Sequence, residues 1–258
     1  MGVGKHVLSE KPVAENIEKA EDLIQFYEDN RRLEVNDATW SVAENFRFLN
    51  TFEKAREEIG KLGKVTNFRV KVAANVKQGG KYFETEWRKT PQYQGGFLLD
   101  GGVHFTAGTR LLLGEENKPE SLCAFSQLIQ KHLPPVDTVN SIWKCKSGVT
   151  GTVTISFGTT LSGDEYSIAC EKGSVHVSRD LVVVKQGEEN EGKEERFELV
   201  DKSAGVTPEV AAWAEGIQKK QANPEQNPRK ALADLELLEA MLKSGEKDGE
   251  RIKLTRQV

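Results

Sequence analysis

Asp100 and His104 stand four residues apart in the decamer Gly95-Gly96-Phe97-Leu98-Leu99-Asp100-Gly101-Gly102-Val103-His104. If a helix begins near Gly101, the two side chains leave the same face one turn apart. A carboxylate one turn from an imidazole can act as an acid/base pair. The same spacing also arises from a helix N-terminal Asp and a surface His, and so short a motif does not separate the two readings. The glycines permit tight turns and close approach of a ligand. Lys11, in Ser9-Glu10-Lys11-Pro12, is the third group with chemical reach. It follows a short apolar run that reads as a strand, and ligands in open α/β sheets collect beyond the carboxyl ends of strands. A lysine before proline is also a common solvated surface residue. Pro12 keeps Lys11 extended and permits a cis bond.

The elements around these groups change character near residue 62. His6 to Ser9 reads as a strand, and Val13, Ile17, Ala20, Leu23, Ile24 and Tyr27 form a helical stripe. Ala38 to Glu44 reads as a second strand. Phe48, Phe52, Ala55 and Ile59 mark a second helix, stopped at Gly60 to Gly63. Strand–helix–strand–helix is a fragment of a parallel sheet. From Lys64 the period becomes two, with Phe68, Val70, Val72, Ala74 and Val76 alternating with polar residues. The decamer helix continues through Leu111-Leu112-Leu113 to a Gly114 cap.

Strand candidates follow at Leu122–Leu128, Thr138–Cys145, Val149–Thr159, Tyr166–Glu171, Val175–Ser178 and Leu181–Lys185, separated by turn-like Lys146-Ser147-Gly148 and Lys172-Gly173. Residues 187–195 read as a solvated charged loop. Two helices close the chain, with N-caps expected at Thr207-Pro208 and Asn227-Pro228. The second carries Leu232, Leu235, Leu238, Met241 and Leu242, a core stripe that ends at Gly245. The fold class expected is therefore α/β followed by α+β: the C-terminal end of a parallel sheet over 1–62, then a large, mainly antiparallel open sheet over 63–258.

Composition narrows the function classes. A net charge of −4 over 258 residues lacks the basic surplus of a general nucleic-acid binder. No apolar run approaches the roughly 20 residues needed to span a bilayer. The N-terminal residues carry neither a signal-peptide core nor an Arg/Ser-rich transit pattern. Cys123, Cys145 and Cys170 are odd in number and widely spaced, which suits reduced core thiols and a cytoplasmic setting. With no Cys-x-x-Cys and no His-Glu-x-x-His, no metal is expected. His6, His132 and His176 have no motif around them.

Glu10-Lys11-Pro12 followed by Gly95-Gly96-x-x-x-Asp100-x-Gly102-x-His104 resembles the Gfo/Idh/MocA family of NAD(P)-dependent oxidoreductases. Gly4-Lys5-His6-Val7-Leu8-Ser9, Glu44-Asn45-Phe46-Arg47-Phe48 and Trp87-Arg88 agree with it, as does the closing Leu-rich helix. The likeness spans nearly the whole chain and leans toward fungal and yeast-like members, which favours NADP(H) over NAD(H). It implies a Rossmann remnant over 1–62 and a substrate and dimerisation domain over 63–258, whose last helix packs back on the first part.

The resemblance also implies hydride transfer between the dinucleotide and a sugar, polyol or related small substrate. His104 is then the acid/base. Lys11 polarises the reacting oxygen, and Asp100 orients the imidazole or the substrate hydroxyls. Glu10, Lys11, Pro12 and Asn45 lie on the cofactor side. Trp87 and Arg88, with Asp100 and His104, lie on the substrate side. Asn45, Trp87 and Arg88 fit a merely structural role as well. A homo-oligomer through the open sheet is expected.

The family's G-x-G-x-x-G loop belongs roughly a hundred residues before the Lys motif, and these 258 residues do not contain it. The chain is therefore expected to begin inside the nucleotide domain and to bind NAD(P)H poorly on its own. The competing expectations are a non-catalytic binding or dimerisation module and an unstable fragment. Neither the substrate nor the dinucleotide preference is readable from the residues themselves.

Overall fold

The computed structural model describes residues 4–32, 38–80, 83–84, 90–91, 96–187 and 192–258. Two short strands, β1 (Val7–Ser9) and β2 (Trp40–Val42), pair in parallel with Ser9 opposite Val42. Helix α1 (Ile17–Arg32) connects them, as a parallel crossover requires. Ala20 and Ile24 are buried and Tyr27 sets its ring edge against Trp40 at 5.8 Å. Leu23, expected in that stripe, is exposed. It sits about 100° around the helix from Ile24, outside the narrow face that Ala20, Ile24 and Tyr27 share.

After β2 the chain makes a 3-10 turn over Asn45–Phe48 and then helix α2 (Asn50–Lys61). Phe52, Ala55 and Ile59 are buried as the spacing predicts, while Phe48 belongs to the 3-10 turn and not to the helix.

The rest builds a nine-stranded sheet around β3 (Val65–Asn75). Its other strands are β4 (Pro119–Gln127), β5 (Thr138–Cys145), β6 (Thr150–Ser156), β7 (Gly158–Cys170), β8 (Gly173–Ser178), β9 (Leu181–Gln186), β10 (Glu194–Glu198) and β11 (Ile252–Lys253). Their order is β10-β9-β8-β7-β3-β6-β5-β4-β11, antiparallel throughout except for β3 with β6.

Three expectations change. The run Val149–Thr159 is not one strand: it breaks at Phe157, and β6 and β7 flank β3 on opposite sides. One residue makes the break, without Pro or Asn. A Cβ on Gly158 would stand 2.2 Å from the Asp137 carboxylate, so the crossing needs glycine. The loop expected over 187–195 ends sooner, because Glu194 and Glu195 already pair with β9. Strands β10 and β11 were not foreseen; alternating charged residues and a two-residue strand carry little apolar signal.

Helices α2, α3 (Gly96–Leu113) and α5 (Pro228–Glu246) cover one face of the sheet. Phe52 of α2 meets Tyr166 of β7 edge-on at 4.9 Å, and Ser141 of β5 donates to the Met241 sulfur of α5 at 3.2 Å. The opposite face is open, with Phe125 60%, Ile142 60% and Leu161 63% exposed. Asn227 caps α5 by accepting from the Arg229 N–H at 2.9 Å, as expected. Helix α4 (Val206–Gln218) is different: Gly205, at φ +83°, stands at its N-cap where Thr207 was expected. Asp201 organises this turn by accepting from the Ser203 and Gly205 N–H groups at 2.8 and 2.7 Å. Among the described residues no helix is long and apolar enough to cross a membrane.

Candidate active site

Helix α3 carries Asp100 and His104 one turn apart, and it starts at Gly96 rather than near Gly101. Gly96 adopts φ +43°, and a Cβ there would lie 2.4 Å from the Pro134 carbonyl oxygen. Gly101 and Gly102 serve packing rather than the approach of a ligand. Added Cβ atoms would stand 2.7 Å from the Phe157 ring and 2.7 Å from Leu238. Helix α3 is thus wedged between the sheet and α5, and this fixes where Asp100 and His104 point.

The parallel pair supplies the facing groups. Lys11 follows the end of β1 by two residues, Glu44 follows the end of β2 by two, and the register brings both to one edge. The Lys11 ammonium donates to the Asp100 carbonyl oxygen at 2.8 Å and to its carboxylate at 3.0 Å. Both side chains are largely shielded from water. The Lys11–Pro12 bond is cis.

His104 is held by a residue that sequence reasoning did not single out. Its Nδ1 lies 2.7 Å from Oε1 of Glu44, whose side chain is 2% exposed. The same Oε1 accepts from the Phe46 N–H at 3.2 Å, and the Phe46 ring stacks on the imidazole at 4.9 Å with 19° between planes. Burial alone would raise the Glu44 carboxyl. The His104 charge and hydrogen bond, joined by Arg47, hold it below the usual carboxylate range.

Asn45 was expected to face the cofactor, and its amide donates to the Ala204 carbonyl at 2.6 Å. That bond ties the 3-10 turn to the loop before α4. A Cβ on Gly205 would lie 2.2 Å from the Asn45 carbonyl oxygen, so this approach also demands glycine. Glu10 is exposed and Pro12 partly buried, beside Lys11. Trp87 and Arg88 lie outside the described residues. His6 is bound to Thr39, His132 to the Val76 carbonyl and His176 between Ser167 and Ser174, and none of these partners belongs to α3. Among the described residues no cluster of His, Cys, Asp and Glu could hold a metal ion.

Glu209 of α4 was also missed. Its side chain is buried, and burial first, then the Glu44 charge, push its carboxyl up to about 7. Folding stabilised by the protonated form is fully present below the usual value of 4.5 and is lost as pH rises through about 7. Glu209→Gln removes this dependence. Its melting temperature relative to the parent should rise between pH 4.5 and 7 and stay level above, as followed by circular dichroism. Parallel melting curves across that range would show that Glu209 does not titrate this way.

Neither missed residue carried a clear sequence signal. Glu44 closes the run read as a strand, and only the end of β2 at Val42 sets it at the offset that Lys11 has from β1. Glu209 is an acidic residue on the side of α4 that turns inward, which only tertiary packing reveals.

A short parallel pair beside a large, mainly antiparallel open sheet covered on one face by helices is a fold shared with solved oxidoreductases. Residues 56–254 match the oxidoreductase family's C-terminal alpha/beta domain, Gfo/Idh/MocA, and the chain belongs to that family. Dehydrogenase FPY6 of Fusarium mangiferae is 39% identical over 254 residues, which are 95% of this chain and 70% of that protein. The protein YMR315W of Saccharomyces cerevisiae is 33% identical over 97% of this chain and 73% of its own length.

Among solved structures, an oxidoreductase from Thermotoga maritima superposes with a TM-score of 0.82 at 28% identity, covering 96% of this chain and 70% of that one. The WlbA dehydrogenase of Bordetella pertussis, in complex with NADH and UDP-GlcNAcA, shares the fold with a TM-score of 0.75 at 20% identity. It covers 98% of this chain and 72% of its own.

Proposed function

We propose that these residues form the reacting side of a dehydrogenase site that moves a hydride between NAD(P)(H) and an alcohol or carbonyl carbon of a sugar, polyol or related small molecule. One observation carries the proposal: Lys11 binds Asp100 through two oxygens, and His104 stands one turn further along the same helix. Residues 1–62 are read as the end of the dinucleotide-binding domain and 63–258 as the substrate domain.

The cofactor side fits in one respect. The parallel pair β1–β2 opens its carboxyl ends toward Asp100 and His104, where ligands of such sheets collect. Lys11, Glu10, Pro12 and Asn45 would line that side. When bound, the nicotinamide supplies the hydride acceptor. NADP(H) is favoured over NAD(H) by the likeness to fungal and yeast members.

The chain's own residues do the rest. Asp100 uses two of the three Lys11 donors and leaves one N–H for the reacting oxygen. That compact cation stabilises negative charge as it develops on the oxygen. His104 takes the hydroxyl proton in oxidation and returns it in reduction. The resemblance assigns Trp87 and Arg88 to the substrate side.

Turnover with NADP+ over a panel of sugars and polyols tests this reading. It should be run on the 258 residues as they stand and on the same residues joined behind a strand–G-x-G-x-x-G–helix segment from a family member. Reduced dinucleotide should form with the fusion, and NADPH should bind the 258 residues only weakly in a fluorescence titration. A silent fusion that binds NADPH tightly would favour a non-catalytic binding module.

The open sheet face is read as a homodimer interface, since it leaves the large apolar side chains of Phe125, Ile142 and Leu161 exposed. Light scattering should give twice the chain mass, and Ile142→Glu with Leu161→Glu should halve it. A monomeric parent would refute the interface. The cysteines are free, and burial raises Cys145 to about 12 and Cys170 to about 11. Three unpaired thiols, two buried and Cys123 partly exposed, suit the cytoplasmic setting proposed.

A further inference from the structure

We propose that Glu44 is the positioning residue of His104, fixing its imidazole in the form protonated on Nδ1 so that Nε2 is the base that meets the reacting hydroxyl. This rests on the reading of His104 as the acid/base.

The geometry restricts the ring in three ways. Glu44 lies 2.7 Å from Nδ1 and is buried at 2% side-chain exposure, so water does not compete for that contact. The carboxylate cannot swing away, because its Oε1 also accepts from the Phe46 N–H at 3.2 Å. The Phe46 ring covers one face of the imidazole at 4.9 Å, which resists rotation of the ring. A carboxylate only accepts, so the proton of a neutral imidazole at this contact sits on Nδ1. Glu44 stays ionised here, facing His104 and Arg47, with Glu209, Tyr166 and Asp234 as further titratable neighbours. Because Lys11 is held by Asp100, the two polar groups of the site have separate supports: Asp100 for the ammonium and Glu44 for the imidazole.

The tautomer is measurable without cofactor or substrate. The 258-residue chain, labelled with nitrogen-15 in its four histidines, gives ring spectra in which His104 is assigned by its disappearance in His104→Gln. At mildly alkaline pH the parent should show the Nδ1–H form favoured about 10–100-fold, the bias expected of a hydrogen bond to a charged acceptor. Glu44→Gln should remove most of that bias and Glu44→Asp should retain it. In the turnover assay Glu44→Gln should lower kcat about 10²-fold with KM little changed.

A parent His104 with its proton on Nε2 overturns the proposal without recourse to any variant, and so does a Glu44→Gln protein with the parent ratio. If His104→Ala leaves turnover intact, the catalytic reading fails whatever the tautomer. If His104→Ala abolishes turnover but Glu44→Gln leaves the tautomer unchanged, only the positioning role fails.

Discussion

His104→Ala is expected to lower kcat/KM for dinucleotide-dependent alcohol oxidation by about 10²–10⁴-fold, the range of a positioned general acid/base. The loss should fall on kcat and kcat/KM alike, because proton transfer is realised only in the transition state. The imidazole is partly exposed, and its removal vacates a stacking contact with Phe46 without opening the main core. His104→Gln keeps the volume and should be equally inactive, which separates lost chemistry from lost packing. An effect confined to KM would make His104 a binding group.

Asp234→Ala is expected to destabilise the protein by about 3–5 kcal/mol, because it leaves charges uncompensated in a dry site. Asp234 is buried on α5 between two guanidiniums. Arg47 of the 3-10 turn pairs with one carboxylate oxygen, and Arg110 of α3 lies 2.7 Å from the other. Arg47 also donates to the Glu225 carbonyl at 3.1 Å, and Arg110 donates to the Gln257 side-chain oxygen at 3.0 Å. One carboxylate thus joins the turn that carries Glu44 and Phe46 to the helix that carries His104. For a chain of this size the melting temperature should fall by about 6–20 °C. Asp234→Asn, which keeps acceptor capacity, should fall less. A change below about 1 kcal/mol, the level of an exposed pair, would show that the network contributes little.

The sequence made the frame of the site legible because its signals are local. Lys11 before a proline after a strand, and Asp100 and His104 at helical spacing, need no tertiary information, and the structure places the first two in contact. The alternation through Phe68, Val70 and Val72 likewise reads directly as one buried strand face.

What escaped depends on long-range contacts. Glu44 meets His104 across 60 positions, and Glu209 turns inward only because α4 packs on the 3-10 turn. The glycines of the decamer suggested room for a ligand, yet Phe157 and Leu238 fill it. The break at Phe157 was invisible because one residue does the work of a turn, with its partner Asp137 about twenty positions away. Trp87 and Arg88 fall outside the described residues, and their roles rest on the resemblance.

The fate of deuterium on the carbinol carbon of the most active polyol tests hydride transfer most directly. With the fusion protein and NADP+, the deuterium should appear in the reduced nicotinamide and not in water, and His104→Ala should slow its arrival by the factor above. Deuterium released to solvent with no reduced dinucleotide would contradict a dehydrogenase built on Lys11, Asp100 and His104.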